Sequence, residues 1–471
     1  MCTSGAFRKT NSAFTGKSTL TQHFLPEGGR QAAADLHTIV VVGGGAGGLE
    51  LITALGDKLG KKKKIKAVLV DRSPTHLWKP LLHEVAAGSL DLNAHQVEYI
   101  AQARWHGFEF QQGALIGLDR DRKCITVAAS HDVDGVEILP QRDIPYDTLV
   151  LSIGSVTSYF GVPGAEQHAI ALDTTEQAER FRRHLIAACM RAQNHIGEHA
   201  GDARPQVDIA IIGGGATGVE LSAELRNTAQ VLRAYGLHKL DPVKDVRITI
   251  IEAGPRLLAA LSERVANATT EQLRTMDITV LTSEKVTEIR ERAVLTASGK
   301  ELHADLIVWA AGIRAPEILP KLGLPVNKQG QIVVAQTLRT EADPNIFAFG
   351  DCASCPSSDT GKPVPPRAQV AHQQANFLYR QLRRHLAGQP LQNFKFRDKG
   401  SLVSLGRFSA VGNLMGNLTG GTMMVDGMIA RLLYSSLYRM HVMALFGFVR
   451  MVLDTIVHWL RRKTAPRIKL H

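Results

Sequence analysis

The chain has 471 residues, of which 44% are hydrophobic and 21% charged, as expected for an ordinary folded protein of two or three domains. Five cysteines in so long a chain exclude a disulfide framework and favour a reducing compartment. The formal net charge of +11 is concentrated at the C-terminal end, which indicates contact with an anionic surface, either nucleic acid or lipid.

The first 36 residues form a segment of unusual composition. They are rich in Ser, Thr, Lys and Arg, and their only acids are Glu27 and Asp35. They lack the apolar run of a secretory signal peptide. We expect a disordered extension at residues 1–36, with an organellar transit peptide as the alternative.

A glycine-rich signature for dinucleotide binding follows, as IVVVGGGAGGLE at residues 39–50. A β-branched run precedes the glycines and an apolar helical pattern follows them, which is the context that the motif requires. Gly43 makes the tight turn, Gly45 lets backbone N–H groups approach a pyrophosphate, and Gly48 allows close packing of helix on strand. The next strand ends in Asp71, whose carboxylate can accept hydrogen bonds from ribose hydroxyls.

Short alternating runs separate this unit from the next one. Residues 107–140 alternate polar and apolar side chains between turn-forming pairs, which predicts antiparallel strands inserted into a parallel fold. A buried strand at residues 148–153 then leads to Gly154.

The glycine signature recurs as DIAIIGGGATGVE at residues 208–220, with Gly213, Gly215 and Gly218 in the same three positions. The second strand of this unit ends in Glu252. A carboxylate there bonds the free 2′-hydroxyl of NADH and repels the 2′-phosphate of NADPH, so NADH is the expected nucleotide. Two nucleotides bound by one chain imply that electrons pass between them.

The second unit departs from the usual spacing between its last glycine and its acid. Residues 235–245 read as an insertion that lengthens the loop before Glu252. Arg256 is the one nearby residue that favours a 2′-phosphate. Two further buried strands lead to Ala311-Gly312 and to Gly350-Asp351. The Asp351 carboxylate can meet a cofactor there, and its alternative role is a helix N-cap.

The pair Cys352 and Cys355 is spaced for redox chemistry or for half of a metal site. No second pair of this spacing accompanies it, so we interpret it as structural and expect no metal.

Residues 431–471 carry eight Lys or Arg and a single acid, Asp454. The residues between these charges are too apolar for a nucleic-acid arm, so nucleic acid is not an expected partner. The longest charge-free apolar stretch, residues 442–449, is far short of the roughly 20 residues that a spanning helix needs. We expect one or two helices lying in the membrane interface, with four arginines toward anionic headgroups: Arg439, Arg450, Arg461 and Arg462. The alternative is a helix packed on the protein's own core or on a second subunit of a homodimer.

The chain resembles the two-dinucleotide-binding-domain flavoproteins, in which the first glycine motif holds FAD and the second, nested within the first domain, holds NAD(P)H. Within that group it resembles the type II NADH:quinone oxidoreductases, the single-subunit, non-proton-pumping NADH dehydrogenases of respiratory membranes, and it is close to the proteobacterial enzymes. The similarity runs from about Thr38 to the C-terminus and is carried by five segments: HLWKPLLHEVAAGSLD (76–91), WAAGIRAP (309–316), FGDCASCP (349–356), VPPRAQVAHQ (364–373) and GSLVSLGRFSAVG (400–412).

The resemblance implies an α/β fold with two nested Rossmann-like dinucleotide-binding domains and a C-terminal amphipathic helical region that anchors the protein to a membrane. The FAD-binding domain is expected to be discontinuous, at residues 37–160 and 313–385. Residues 161–312 would form the NADH-binding domain, and residues 386–471 the membrane-associating region.

The resemblance also implies a set of binding residues. Those for FAD are Gly43, Gly45, Gly48, Asp71, Lys79, Gly154, Gly350, Asp351, Ala368 and Gln369. Those for the substrate NADH are Gly213, Gly215, Gly218, Glu220, Glu252, Ala311 and Gly312.

Three residues are expected to be catalytic. The family's quinone-site pattern places Gln369 and Gln373 four residues apart, so they share a helix face and can donate to a quinone carbonyl or order the flavin's edge. The alternative is a pair of surface glutamines. Glu220 would lie where the nicotinamide meets the flavin, with a part in substrate binding or proton movement. Its alternative is a structural interaction with the helix dipole.

The expected reaction is NADH + H⁺ + quinone giving NAD⁺ + quinol, through FAD and without proton pumping because no spanning segment is expected. The expected location is peripheral, on the cytoplasmic face of a bacterial inner membrane. Alternatives are a sulfide:quinone or disulfide-type oxidoreductase, both of which need cysteines beside the flavin, and a non-catalytic flavin redox sensor.

Overall fold

The computed structural model describes residues 36–132, 134–195, 206–406, 409–415 and 422–464. The extension predicted for residues 1–36 therefore lies outside the described residues, apart from Leu36.

The first part of the chain builds a parallel sheet and its helices. Its strands are β1 (Thr38–Val42), β2 (Lys66–Asp71), β3 (Thr75–His76), β4 (Val97–Glu98), β5 (Glu109–Gln112), β6 (Leu115–Asp119), β7 (Cys124–Val127), β8 (Ser130–His131), β9 (Glu137–Leu139), β10 (Arg142–Pro145), β11 (Thr148–Leu151) and β12 (Val156–Thr157). Its helices are α1 (Ala46–Leu55), α2 (Leu82–Ala87), α3 (Leu92–His95) and α4 (Tyr99–His106).

The middle part builds a second parallel sheet. Its strands are β13 (Ile170–Ala171), β14 (Val207–Ile212), β15 (Val246–Ile251), β16 (Ile278–Leu281), β17 (Val286–Arg290), β18 (Ala293–Thr296), β19 (Glu301–His303) and β20 (Leu306–Trp309). Its helices are α5 (Ala165–His168), α6 (Thr175–His195), α7 (Ala216–Ala234) and α8 (Glu263–Thr275).

The last part returns to the first sheet and then adds the C-terminal region. Its strands are β21 (Ile313–Arg314), β22 (Ile332–Val333), β23 (Ile346–Ala348), β24 (Ala353–Ser354), β25 (Gly400–Leu405), β26 (Ser409–Met415) and β27 (Thr422–Asp426). Its helices are α9 (Ala368–Leu386) and α10 (Gly427–Thr464).

Each glycine motif opens from a central strand of its own five-stranded sheet. The first sheet has the order β23-β11-β1-β2-β5 and the second the order β13-β20-β14-β15-β16. All neighbouring strands within these two sheets are parallel. The β-branched runs of β1 and β14 are buried because helices cover both faces of such sheets. Since β23 returns to the first sheet after the second is complete, the nested α/β fold is confirmed.

The antiparallel strands predicted within residues 107–140 are confirmed only in part. Strands β6, β7 and β10 form an antiparallel sheet, and β8 pairs with β9. Strand β5, however, joins the first sheet in parallel beside β2. Helix α4 lies between β2 and β5 and brings the chain back in the same direction, as a parallel connection requires.

The C-terminal region begins with an antiparallel sheet of β25, β26 and β27, which was not predicted, and ends in the long helix α10. Gly447 interrupts this helix with φ 80° and ψ 172°, so α10 consists of two helical halves. Among the described residues, Ser436–Val457 is long and apolar enough to cross a membrane, with a mean hydropathy of 1.6. The expectation that no segment reaches that length was therefore wrong, because isolated charges do not lower the average enough to exclude it.

Candidate active site

The first glycine turn has the geometry that its sequence predicts. Gly43 has φ +98°, and a Cβ there would lie 2.5 Å from the carbonyl oxygen of Ser152. A Cβ on Gly48 would overlap the carbonyl oxygen of Gly43, so α1 packs as closely as glycine allows. A Cβ on Gly45 would meet nothing within 4 Å, and α1 has no side-chain cap. Open space thus faces the N-terminus of α1, as a bound pyrophosphate requires.

The second glycine turn repeats this geometry. Gly213 has φ +109°, and a Cβ there would lie 2.6 Å from the backbone of Ala310 and Ala311. A Cβ on Gly218 would overlap the carbonyl oxygen of Gly213, whereas one on Gly215 would meet open space. Helix α7 also lacks a side-chain cap. The residues present therefore fit two dinucleotides, one at the start of α1 and one at the start of α7.

The acid after each second strand points into its own glycine turn. Oδ2 of Asp71 accepts a hydrogen bond from the backbone N of Gly44 at 2.6 Å, and Oε2 of Glu252 accepts one from Gly214 at the same distance. Burial raises the pKa of Asp71 above its ordinary value, against two backbone hydrogen bonds that lower it. Arg256 donates to carbonyls of its own loop.

Asp351 and Gly154 lie together because β11 and β23 are parallel neighbours and end at the same edge of the first sheet. The hydroxyl of Ser155 donates to Oδ2 of Asp351 at 2.9 Å, and Lys79 Nζ donates to the carbonyl of Ser155 at 3.4 Å. Gly154 and Gly350 have φ of +70° and +73°, a conformation that favours glycine. Asp351 lies inside a short 3₁₀ turn whose N-cap is Phe349, so the N-cap alternative was wrong.

Gln369 and Gln373 share one face of α9, and both bond the backbone of residues 397–400. Gln373 donates to the carbonyl of Arg397 at 2.8 Å and accepts from its N–H at 3.1 Å. Gln369 makes longer contacts of 3.4 Å to the Gly400 carbonyl and 3.3 Å from the Lys399 N–H. Their amides order the segment before β25, and a role toward quinone stays a prediction. Ala368 is the first residue of α9.

Gln374 is a site residue that the sequence analysis missed. Its side chain is buried on α9, and its Oε1 accepts a hydrogen bond of 2.8 Å from the backbone N of Gly350. Helix α9 is thereby tied to the turn that carries Asp351. A glutamine beside two others in a helix gave no signal of which one would face the cofactor turn.

Glu220 is buried near the start of α7, where the second unit meets α2 and β25. Its Oε1 accepts from the backbone N of Ser404 at 3.0 Å, and its Oε2 lies 3.6 Å from Nδ1 of His83. Burial lowers the pKa of His83 to about 4, so this imidazole is neutral at neutral pH. The carboxylate therefore stands at the junction of three segments that are far apart in sequence.

Ala311 and Gly312 follow β20, beside Gly213. A Cβ on Gly312 would lie 2.5 Å from the ring of Phe160, which is 67% exposed and has φ +50°. A non-glycine residue in this conformation is strained, and such strain is concentrated at functional sites. The sequence contains no signal for this aromatic ring at the nucleotide edge.

Cys352 and Cys355 are both free and buried. Burial raises the pKa of each thiol to about 12, and the Cys352 thiol donates to the carbonyl of Phe349. Protonated, buried thiols are poor nucleophiles, which agrees with a structural pair.

In the described part of the chain, the cluster of Asp208, His303 and Asp305 is occupied by ion pairs to arginines and makes no case for a metal.

The second half of α10 presents a surface of large apolar side chains, here called the tail surface. Its members are exposed despite their size: Phe448, Val449, Val452, Leu453, Ile456, Val457 and Leu460. Trp105 and Ile100 of α4 are also exposed. Arg450 stacks on the rings of Trp105 and Phe446, at 5.2 Å and 4.1 Å from their centroids, so this arginine is folded back onto aromatic rings. Leu445 is buried in the hydrophobic core that surrounds the first sheet, so part of α10 packs on the protein itself.

Comparisons with known proteins agree with this geometry. The sequence profile of the pyridine nucleotide-disulphide oxidoreductase family matches residues 37–375. The type II NADH:quinone oxidoreductase of Haemophilus influenzae is 43% identical over 446 residues, which are 93% of this chain and 100% of the relative. A Staphylococcus aureus protein of the same name is 28% identical over 397 residues, 83% of this chain and 92% of that protein.

Solved structures share the fold. NDH2 from Plasmodium falciparum, solved in complex with NADH, superposes with a TM-score of 0.77 at 19% identity, over 92% of this chain and 100% of that chain. The sulfide:quinone oxidoreductase of Aquifex aeolicus superposes with a TM-score of 0.66 at 18% identity, over 91% and 96% of the two chains. At these identities the likeness concerns the fold alone.

Proposed function

The chain belongs to the pyridine nucleotide-disulphide oxidoreductase family and, within it, to the type II NADH:quinone oxidoreductases, and from this premise we propose how its residues act. The enzyme transfers two electrons from NADH to a membrane quinone and uses FAD. When bound, FAD supplies the redox chemistry, while the protein supplies binding, orientation and electrostatics. The observation that carries this assignment is the pair of matching glycine turns, each with open space at its second glycine and an acid bonded to its turn.

The residues that hold FAD lie along the carboxyl edge of the first sheet. Gly43, Gly45 and Gly48 form the pyrophosphate turn at the start of α1, and Asp71 offers its carboxylate to the adenosine ribose. The other predicted residues approach the flavin side: Lys79, Gly154, Gly350, Asp351, Ala368 and Gln369. Their support is the cluster of Lys79, Ser155 and Asp351 at the ends of β11 and β23.

The residues that hold NADH repeat this pattern on the second sheet. Gly213, Gly215 and Gly218 take the pyrophosphate at the start of α7, and Glu252 takes the ribose 2′-hydroxyl. Ala311 and Gly312 line the nicotinamide side after β20. We assign residues 37–160 and 313–385 to the FAD-binding domain and residues 161–312 to the NADH-binding domain.

Gln369 and Gln373 are proposed to serve the quinone side, and Glu220 is proposed to lie where the nicotinamide of NADH meets the flavin. Glu220 is buried and lies 3.6 Å from Nδ1 of the neutral His83, a position from which it is proposed to take part in substrate binding or proton movement. Gln369 and Gln373 are proposed to shape the quinone side because their amides order the segment that leads into β25. The chain does not pump protons. Among the described residues one helix reaches spanning length, and Gly447 breaks it.

The enzyme is membrane-associated, and residues 386–471 are proposed to bind an anionic lipid surface on the cytoplasmic face of a bacterial inner membrane. The tail surface supports insertion into the membrane interface, and the free buried thiols suit a reducing compartment. No nucleic acid is proposed as a partner. The alternative is a homodimer formed through α10. The molecular mass of the purified protein in detergent tests it.

A steady-state assay on purified protein tests the whole proposal. We expect a yellow protein that oxidises NADH much faster than NADPH and only when a quinone is present. A sensor would bleach its flavin with NADH but turn over negligibly. A thiol-dependent enzyme would lose quinone reduction when Cys352 and Cys355 are replaced by Ser. A protein that stays colourless after reconstitution with FAD would contradict the assignment.

A further inference from the structure

Glu50, the last residue of the first glycine motif, is a buried carboxylate with two histidine partners from distant elements. Its Oε2 lies 2.6 Å from Nδ1 of His372 on α9, and its Oε1 lies 2.8 Å from Nδ1 of His441 on α10. The residue is 6% exposed. One carboxylate thus joins three helices: the helix after the FAD turn, the helix with the quinone-side glutamines and the membrane-facing helix.

His441 is enclosed by the first domain. Its Nε2 lies 3.0 Å from Nε2 of His76, and its ring lies 4.2 Å from the ring of Trp78, centroid to centroid. Nδ1 of His76 lies in turn 3.0 Å from the carbonyl oxygen of Gly44, in the middle of the FAD turn. A continuous hydrogen-bonded chain therefore connects α10 to that turn.

The donors along this chain follow from the acceptors at its ends. The carbonyl of Gly44 can only accept, so Nδ1 of His76 carries a proton. Burial, with the charge of His441, lowers the pKa of His76 to about 3, so this ring is neutral and its Nε2 is an acceptor. Burial alone would raise the pKa of Glu50, but hydrogen bonds from His372 and His441 hold it below its ordinary value. Glu50 is then a carboxylate that accepts from the ring nitrogens of both histidines.

The corresponding glutamate of the second motif is held differently. Glu220 accepts a hydrogen bond from the backbone N of Ser404, and its Oε2 lies 3.6 Å from Nδ1 of His83. The pair of close histidine contacts at Glu50 comes from α9 and α10. It belongs to the first unit, the one against which α9 and α10 pack.

We propose that Glu50 is a positioning residue for quinone reduction, which holds α9 and α10 in fixed register on α1 through His372 and His441. The proposal rests on the function proposed above. Quinone enters from the membrane, so the enzyme must keep its membrane-facing helix and its quinone-side helix aligned with the flavin-binding helix. Misalignment would weaken productive encounter with membrane quinone and leave hydride uptake from NADH intact.

The variant Glu50→Gln keeps the side chain's size but removes its charge. Three rates separate its effects: bleaching of the bound flavin by NADH, reduction of a water-soluble quinone analogue, and reduction of a long-chain quinone in phospholipid vesicles. We expect the first two to stay within about twofold of wild type. The KM for vesicle quinone should rise about tenfold, the scale of a lost hydrogen bond to a charged group.

Matched variants identify the contact. His441→Gln should reproduce the effect of Glu50→Gln, and their double variant should be no worse than the more affected single, because both substitutions break the contact between Glu50 and His441. Glu284→Gln is the control. Glu284 is 7% exposed, close to the value for Glu50, but it accepts hydrogen bonds from Lys300 and Ser298 in the second unit. It should leave the KM for vesicle quinone unchanged.

Several results would overturn the proposal: additive losses in the double variant, an unchanged KM, or an equal loss with the water-soluble quinone. If Glu50→Gln does not fold, His372→Gln tests the proposal by the same assays, because His372 is the partly exposed partner of Glu50. Should the wild-type protein reduce no quinone, the proposed function fails. The contact of Glu50 with α10 is then tested by the rate of trypsin cleavage after Arg439. Glu50→Gln should accelerate this cleavage about tenfold if the charged hydrogen bond holds α10 against α1. Unchanged cleavage would reject the coupling itself.

Discussion

Asp71 and Glu252 hold equivalent places in the two nucleotide-binding units. Each accepts a hydrogen bond of 2.6 Å from the middle glycine of its turn, and each uses its other carboxylate oxygen to accept from the backbone N–H two residues further on. The loop at residues 235–245 lengthens the second unit in sequence but leaves its acid in the same position. The longer spacing before Glu252 therefore does not move its carboxylate away from the glycine turn.

This position of Glu252 predicts the choice of nucleotide. Glu252→Ser should lower the ratio of kcat/KM for NADH to that for NADPH about tenfold or more, because the repulsion of a 2′-phosphate is lost. Steady-state kinetics with both nucleotides measure it. Arg256→Gln serves as the comparison and should leave NADH kinetics near wild type. An unchanged ratio in Glu252→Ser would show that discrimination lies elsewhere.

The second glycines predict a separation of the two nucleotide sites. Gly45→Val and Gly215→Val should both fold, because a Cβ at either position meets open space. Gly45→Val should be purified with much less FAD. Gly215→Val should keep its flavin but raise the KM for NADH about tenfold, since its side chain occupies the phosphate position.

Flavin content and NADH kinetics of the two variants check this separation. Gly48→Ala is the contrasting variant, because its Cβ would overlap the carbonyl of Gly43, and it should be strongly destabilised. Loss of FAD from both valine variants alike would contradict the assignment of one nucleotide to each turn.

The buried thiols predict chemical inertness. Cys352 and Cys355, whose pKa values are raised to about 12 by burial, should not react with iodoacetamide in the folded protein at neutral pH. They should react once the protein is unfolded, and mass spectrometry counts the modified sites. Replacing both by Ser should leave NADH oxidation nearly intact. Rapid modification with loss of quinone reduction would revive a thiol-dependent mechanism.

The tail surface predicts membrane binding that salt does not reverse. Phe448→Asp combined with Val449→Asp should reduce binding to vesicles about tenfold or more, because each buried apolar side chain contributes roughly 1.5–3 kcal/mol. Reduction of a water-soluble quinone should persist. Vesicle sedimentation at low and high salt measures the loss. Deleting Tyr434–His471 is the poorer test, because it also removes His441 and the core residue Leu445.

His83 predicts a loss of stability in mild acid. Its folded pKa is lowered from 6.5 to about 4 by burial, so the unfolded chain takes up a proton first as the pH falls. Stability is complete above about pH 6.5 and declines as the pH falls toward 4, by about 2 kcal/mol near pH 5. Urea unfolding at several pH values measures the slope. His83→Gln should flatten it, whereas substitution of the exposed His131 should not.

The sequence located both glycine turns because their geometry is local. Gly43 and Gly213 need a backbone conformation that favours glycine, and Gly48 and Gly218 need the absence of a Cβ. In each motif these glycines lie within about ten residues of one another, directly after a β-branched run that forms a buried strand. The same locality explains why the strand after each motif could be placed to within a residue or two.

The sequence failed where a residue's role depends on a distant partner. The N-cap interpretation of Asp351 used its neighbours in the chain, whereas its partner Ser155 comes from another strand end. Gln369 and Gln373 were predicted from the family's quinone-site pattern and share a helix face; their role toward quinone stays a prediction, and the pattern gave no sign that their amides bond the backbone of residues 397–400. The hydrophobic periodicity of the C-terminal segment likewise gave no sign of the break in α10 at Gly447.

The sequence by itself determined the parallel α/β fold, the two nucleotide turns and the apolar character of the C-terminus. These depend on backbone sterics and on the burial of nearby side chains, which act over a few residues. Only the tertiary structure decided that Glu50 meets His372 and His441, 322 and 391 residues further along the chain. A buried charge must find its partners wherever packing brings them, and packing is a property of the whole fold.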